Sequence, residues 1–429
     1  MQAPVLKPDA VATDPLLQPL KIGHLTLKNR IFSSAHASGT GDAGMPAERY
    51  QRYHEEKAKG GIALTMFGGS SNVSIDSPNI MPQLNMGTDA VIPHLERFAQ
   101  RIHAQGAAIM CQITHLGRRG EANKDQLLPT IAPSVVRETL HRSIPKEADR
   151  HDIARVIADF ARAAERCRDA GLDGIETLAG AHLIGQFLSP QTNLRTDGYG
   201  GSLKNRCRFG IEVYEAIRKA VGGRFLVGFR FVVDEGHAQG LSFEDCVAVA
   251  QHFSDAGVLD FFNAVYGRMD TAAGLAIDNM PGMASPDAPW LTKAAAFKER
   301  IDLPVLHAAR IADVASARYA IREGLIDMAG MTRAHIADPQ IVEKIMRGEE
   351  ARIRPCVGAT HCMSHLRPTC LHNPATGNEA LLHQTIRPAE QQRRVLVVGA
   401  GPAGLEAARV SALRGHAVTV LEAAPQPGG

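Results

Sequence analysis

Residues 151–180 read HDIARVIADFARAAERCRDAGLDGIETLAG, and the whole fold can be read outward from them. Ile153, Val156, Ile157, Phe160, Ala164 and Cys167 recur at the spacing that puts apolar side chains on one face of a helix. Gly171 then stops the helix, and Leu172 to Leu178 is a short apolar run of strand type. The same alternation of short run and helical stretch continues in both directions. The strand candidates are Ile31–Ser34, Ile62–Phe67, Ala107–Ile113, Leu172–Leu178, Phe225–Phe231, Val258–Val265, Pro304–Ala308 and Ile326–Ala329. Eight strands with helices between them, over about 300 residues, are the arithmetic of an α/β (β/α)8 TIM barrel.

Such a barrel carries its chemistry where the strands end, so the residues just past each run are the ones to inspect. They are Ala35, His36 and Ala37 after the first, Gly68 and Gly69 after the second, Gln112 and His115 at the third, and Gly180 and His182 after the fourth. Arg230 lies within the fifth, Asn263 and Tyr266 near the end of the sixth, Ala309 and Arg310 after the seventh, and Gly330 and Arg333 after the eighth. The last two positions are where this fold often holds a phosphate, on backbone N–H groups and an arginine. A ligand bearing a phosphate is expected there.

The chain has 429 residues, 45% of them apolar, with 47 basic and 45 acidic side chains. That balance gives no electrostatic reason to expect nucleic acid or a membrane surface as partner, and leaves small molecules. No run of eighteen apolar residues occurs, and the opening residues do not resemble an export leader, so a cytoplasmic protein is expected. Of seven cysteines, Cys111, Cys167, Cys207 and Cys246 read as small buried hydrophobes. Cys356, Cys362 and Cys370 cluster, which in a reducing compartment favours metal or cluster ligation over disulfides. Further on, Val395 to Val398, then Gly399, Gly401 and Gly404, a helix, a second strand and Glu422 form the opening of a dinucleotide-binding unit. The organisation expected is a barrel over 1–350, a cysteine segment over 351–380, a linker over 381–392 and an incomplete Rossmann-like FAD/NAD-binding domain over 393–429. Because that last domain lacks much of its crevice, the chain reads as part of a longer protein.

PLKIGHLTLKNRI (19–31), YHEEKAKGGIAL (53–64), QITHLGRRG (112–120), the long GQFLSPQTNLRTDGYGGSLKNRCRFGIEVYEAIR (185–218) and GMTRAHIADP (330–339) together resemble the Old Yellow Enzyme class of NADH:flavin oxidoreductases. More narrowly they resemble its multidomain branch, which contains 2,4-dienoyl-CoA reductase, trimethylamine dehydrogenase and the dimethylglycine and N-methylproline demethylases. The resemblance implies an FMN barrel followed by an iron–sulfur motif and an FAD- or NAD(P)-binding module. It implies that Gln112 bonds the isoalloxazine ring, that Arg230 sits beside its N1 and C2 carbonyl, and that Arg310 and Arg333 hold the phosphate with the backbone at Ala309 and Gly330. Ala35 and Gly68 would complete the flavin cradle. For the arginines, structural ion pairs are the competing reading. Where trimethylamine dehydrogenase has a cysteine bonded to the flavin, this chain has Ala37, so FMN is expected without a covalent link.

Three groups are candidates for the chemistry: His182, Tyr266 and His36. The family pattern G-A-H-G-Y-L-I-x-Q-F appears here as Gly180, Ala181, His182, Leu183, Ile184, Gly185, Gln186, Phe187, two residues shorter. His182 therefore takes the place of either the family histidine or its tyrosine, and in both cases brings an ionisable group toward the flavin. The family cluster motif uses four thiolates. Here Ala359 replaces the second, leaving Cys356, Cys362 and Cys370, with His361 or His365 as a fourth ligand of a [4Fe–4S] cluster; loss of the cluster and zinc are the alternatives. The activity expected is hydride transfer between a small substrate and flavin N5, as oxidative N-demethylation of an N-methylated amino acid or amine. The alternatives are NAD(P)H-dependent enoate or dienoyl-CoA reduction, and an electron-transfer module without turnover. A homo-oligomer is expected, with the electron acceptor open.

Overall fold

The structure is a computed structural model that describes residues 13–77, 83–120, 128–364 and 368–428. It divides into two compact units, 1–377 and 378–429. In the first, eight parallel strands close into a barrel in chain order. They are β1 (Ile31–Ser33), β2 (Leu64–Asn72), β3 (Ala108–Thr114), β4 (Gly174–Leu178), β5 (Leu226–Val232), β6 (Phe261–Val265), β7 (Val305–His307) and β8 (Met328–Gly330). Each overlaps an expected run. The largest difference is β2, which runs on to Asn72 through an irregular register between Phe67 and Ser71, where Gly68, Gly69 and Ser70 all adopt positive φ.

The helix Arg150–Asp169 shows how the outer ring forms. Asp149 and Asp152 make a reciprocal capping box that satisfies its first amides. Ile153, Val156, Phe160, Ala163, Ala164 and Cys167 are buried on its inner face, with Ile157 at the margin. Gly171 ends it at φ +80 with open space where a Cβ would be, so conformation alone selects glycine there.

Inside the barrel, strand alternation sorts residues by height as well as by face. Phe32, Leu64, Met66, Met110, Leu226, Phe261, Leu306 and Met328 form an apolar plug with Ile22 and Leu27 of the hairpin Leu20–Ile22/Leu25–Leu27. Gly228 makes room for Phe261, whose ring would lie 2.1 Å from an added Cβ. One inward position further along β3, β4, β5 and β6 stand Gln112, Glu176, Arg230 and Asn263. The interior thus turns from apolar to polar toward the C-terminal ends of the strands.

The second unit is a single β-α-β element, with Arg394–Val398 and Ala417–Leu421 parallel and the helix Pro402–Leu413 between them. Among the described residues no helix is long and apolar enough to cross a membrane.

Candidate functional site

The strand ends converge on one cavity of about 390 Å3. Its wall takes Ala35 and His36 from the end of β1, Gly69 and Ser70 from the kink of β2, and Gln112 and Arg119 from β3 and its loop. Arg230 of β5, Ala309 and Arg310 after β7, and Gly330 and Arg333 at β8 complete the opposite side. Four arginines line it and, among the described lining residues, no aspartate or glutamate.

Each of those arginines keeps a buried guanidinium N–H without a partner: Nε of Arg119 and of Arg230, Nη1 of Arg310 and of Arg333. An unsatisfied buried donor costs about 1–3 kcal/mol, more when charged. Four arginines with such donors around one cavity suit an anionic ligand, and a flavin mononucleotide has that chemistry at its phosphate and at its pyrimidine edge. Arg310 and Arg333 are the two that follow β7 and β8. Arg333 donates its Nη2 to the Pro281 carbonyl at 2.8 Å, and Arg310 crosses Gly358 so closely that a Cβ there would lie 2.0 Å from Nη1.

The floor is a hydrogen-bonded layer. Glu176 is fully buried and accepts from Gln112 Nε2 at 2.7 Å and Asn263 Nδ2 at 2.9 Å. Burial raises its carboxyl, and the Arg230 charge with the two amides works the other way. Gln112 Oε1 in turn accepts the Ser70 amide at 2.9 Å, which pins the β2 kink to the floor. Arg230 donates Nη1 to the Ala35 carbonyl at 3.0 Å. Glu176 was missed in the sequence, where it looks like one more residue of an apolar strand.

The three chemical candidates fare differently. His36 faces the cavity but is saturated: Nδ1 donates to the Ser34 carbonyl at 2.9 Å, so Nε2 accepts from Tyr53 Oη at 2.7 Å. Burial and the nearby Lys57 charge push it down to about 3, so it is a neutral wall. His182 is fully buried, does not line the cavity, and lies behind Arg119. Its Nε2 accepts from Arg119 Nη1 at 3.0 Å, which leaves Nδ1 to donate to Thr114 Oγ1 at 2.8 Å. Burial, then the charges of Arg119 and Arg230, hold it well below the usual histidine range. The expected ionisable group near the flavin is therefore a neutral support for an arginine. Tyr266 does not line the cavity either; its ring stacks on Trp290 at 3.7 Å. Gly68 also needs correcting. Its amide donates to Tyr50 Oη at 2.9 Å, and the kink brings Gly69 and Ser70, rather than Gly68, to the cavity wall.

Cys356 and Cys362 line the same cavity beside Arg333. Burial raises the Cys362 thiol, the Arg333 charge opposes this, and Cys356 and Cys370 add to it. Among the described residues, however, no group of three His, Cys, Asp or Glu side chains is arranged to hold a metal ion. His361 begins the short helix His361–Ser364, and His365 lies outside the described residues. Three cysteines without an arranged fourth ligand among the described residues do not fit a four-thiolate cluster.

In the second unit the glycines do what a dinucleotide turn needs. Gly399 has φ +94, an added Cβ on Gly404 would meet the Gly399 carbonyl at 1.9 Å, and Gly401 faces open space. Glu422 closes the turn, accepting from the amides of Ala400 at 2.6 Å and Ala424 at 2.8 Å.

A barrel of this order with an anion-seeking cavity at its C-terminal end defines a class, and sequence comparison agrees. The NADH:flavin oxidoreductase / NADH oxidase family matches residues 15–352, and the chain belongs to it. An NAD(P)-binding Rossmann-like domain matches residues 397–429. The chain is 62% identical to a multifunctional alkene reductase/demethylase OYE of Caballeronia cordobensis, over 97% of its own length and 61% of that protein's. It is 46% identical to a probable N-methylproline demethylase of Rhizobium meliloti (97% and 62%) and to an N,N-dimethylglycine/sarcosine dehydrogenase of Chromohalobacter salexigens (98% and 62%). A solved 2-naphthoyl-CoA reductase superposes with a TM-score of 0.89 at 32% identity, covering 97% of this chain and 65% of that one. The chain thus spans 61–62% of the length of these curated relatives.

Proposed function

We propose that this protein is an FMN-dependent oxidoreductase that removes an N-methyl group from a small amine or amino acid of the dimethylglycine or N-methylproline type. Bound FMN supplies a hydride acceptor at N5 of its ring. The residues suited to hold it without a covalent link are Arg310 and Arg333 at the phosphate, with Arg230, Gln112 and the Gly69–Ser70 backbone along the ring. The substrate gives up a hydride from its methyl carbon, and water adds to the resulting iminium. Formaldehyde and the demethylated amine leave.

The observation that favours this reading over reduction is where the two expected proton donors lie. An enoate reductase needs a proton for the substrate carbon, and its candidates His182 and Tyr266 do not line the cavity. Amine oxidation needs no such donor when the nitrogen enters unprotonated. Names of relatives support it: two at 46% identity are a demethylase and a dehydrogenase of N-methyl amino acids. Alkene reduction is the second reading, because the 62% identical relative is named for both activities. The Rossmann-like unit would serve FAD or NAD(P), and we take the cysteines as a relic of the cluster motif. Formaldehyde released from N,N-dimethylglycine or N-methylproline, with an artificial electron acceptor, tests the proposal. If none forms while cinnamate or another enoate is reduced by NADH, the second reading replaces it.

A further inference from the structure

Three of the four cavity arginines have a task once FMN is present: Arg310 and Arg333 at the phosphate, Arg230 at the ring. Arg119 is left over. It is 5% exposed, lines the cavity, and has a buried Nε with no partner. Its neighbour in sequence shows what an arginine does here when its role is structural. Arg118 pairs with Asp270 at 2.9 Å and donates to the carbonyls of Val136 and Arg137 at 3.1 and 3.0 Å. Arg119 has no carboxylate within ion-pairing distance among the described residues, and its bonded partner is a neutral histidine.

The support beneath Arg119 is rigid. Gln186 accepts the Arg118 amide at 3.1 Å and donates Nε2 to the carbonyls of Leu116 (3.0 Å) and Ala181 (2.8 Å), locking the β3 loop to the β4 loop. Gly117 is needed for that contact, since an added Cβ would sit 2.2 Å from Gln186 Oε1. His182, clamped by Thr114, then fixes the Arg119 guanidinium from behind. A buried, braced and unpaired cation is a site built for an anion that arrives from outside.

We propose that Arg119, braced by His182, binds the carboxylate of the substrate and so selects N-methyl amino acids over simple methylamines. A methylammonium ion would enter a cavity with no described acid on its wall and meet an unpaired guanidinium. An amino acid that enters with its nitrogen unprotonated still carries a carboxylate, and so supplies the counter-charge that the Arg119 guanidinium lacks among the described residues. This inference rests on the reading that FMN occupies the arginine-lined part of this cavity, and it holds for either direction of hydride transfer.

The test therefore uses inert acids and needs no turnover. Acetate and cyclopentanecarboxylate are titrated onto the FMN-loaded chain, and binding is followed by the shift of the flavin absorption band. Losing one partner of a buried charge pair corresponds to roughly thirtyfold or more in affinity. Arg119→Gln is expected to weaken both acids by at least that factor, and Arg119→Lys to retain most of the binding. Equal affinity in Arg119→Gln and the unaltered chain, at equal flavin content, overturns the proposal. Should Arg119→Gln lose its flavin, the unaltered chain decides: N,N-dimethylglycine should bind far more tightly than its uncharged amide, and equal binding overturns the proposal. If the acids bind as expected but no N-methyl compound is oxidised, the demethylation reading fails and the carboxylate site stands.

Discussion

Replacing Gly69 by alanine should damage this protein far more than the same change at Gly171, which also has positive φ. The residue sits at φ +53 in the β2 kink, where a side chain alone costs roughly 1–2 kcal/mol. An added Cβ would also lie 2.1 Å from His36 C and from Ala37 N, and 2.6 Å from His36 Cα. These are backbone atoms and cannot rotate away. The end of β1 has to move by more than an ångström, and overpacking of this kind adds about 1–3 kcal/mol or more. The expected loss is roughly 3–5 kcal/mol in urea unfolding. Gly171→Ala is the control, because Gly171 has φ +80 but nothing within 4 Å of its missing Cβ, so it isolates the conformational term. The displaced segment also carries the Ala35 carbonyl that fixes Arg230, so FMN affinity should fall together with stability. A Gly69→Ala chain that unfolds at the same urea concentration as Gly171→Ala and binds FMN normally would refute the reasoning.

Arg333→Leu should weaken FMN binding by roughly thirtyfold to a thousandfold, the loss of a buried charge-assisted contact, read from the fluorescence of free flavin during titration; an unchanged affinity would remove Arg333 from the phosphate site. Glu176→Leu strands the amides of Gln112 and Asn263 and leaves Arg230 without a nearby carboxylate, so stability should drop by roughly 3 kcal/mol or more in urea unfolding. A drop under about 1 kcal/mol would show that the floor layer tolerates an apolar residue. Burial pushes the Asp76 carboxyl up, but the hydrogen bonds from His115 at 3.1 Å, Arg155 and Ser74 win and hold it far below the usual range. A depressed carboxyl contributes stability above its unfolded value near 4 and loses it as pH falls, so the gap between the wild type and Asp76→Asn should be full at neutral pH and shrink in acid. A gap that stays constant down to about pH 3 would contradict it.

Much of the scaffold was legible because strands and helices announce themselves locally. Buried parallel strands read as apolar runs, and Ile153 to Cys167 repeat at helical spacing because one face packs on the barrel. The arginines at the last two strand ends were legible for the same reason, since strand order alone puts Arg310 and Arg333 at the rim. What escaped depends on contacts between strands. Glu176 becomes a floor residue only when Gln112 and Asn263 arrive from β3 and β6. Arg119 stood in plain view within QITHLGRRG, but nothing local separates it from Arg118; the difference is that Asp270, far along the chain, pairs with one and not the other. Gly68 was preferred to Gly69 because a kink that re-aims the backbone by one residue leaves no mark in a run of two glycines. His182 carries the kind of side chain that does acid–base chemistry, and only its complete burial behind Arg119 changes its role.

The most direct test of the central claim is anaerobic titration of the FMN-loaded chain, following the yellow flavin band. The account predicts that N,N-dimethylglycine or N-methylproline bleaches the band stoichiometrically, whereas NADH and NADPH do so slowly or not at all. Rapid bleaching by a nicotinamide, with no response to either N-methyl amino acid, would contradict it and make this barrel a reductase.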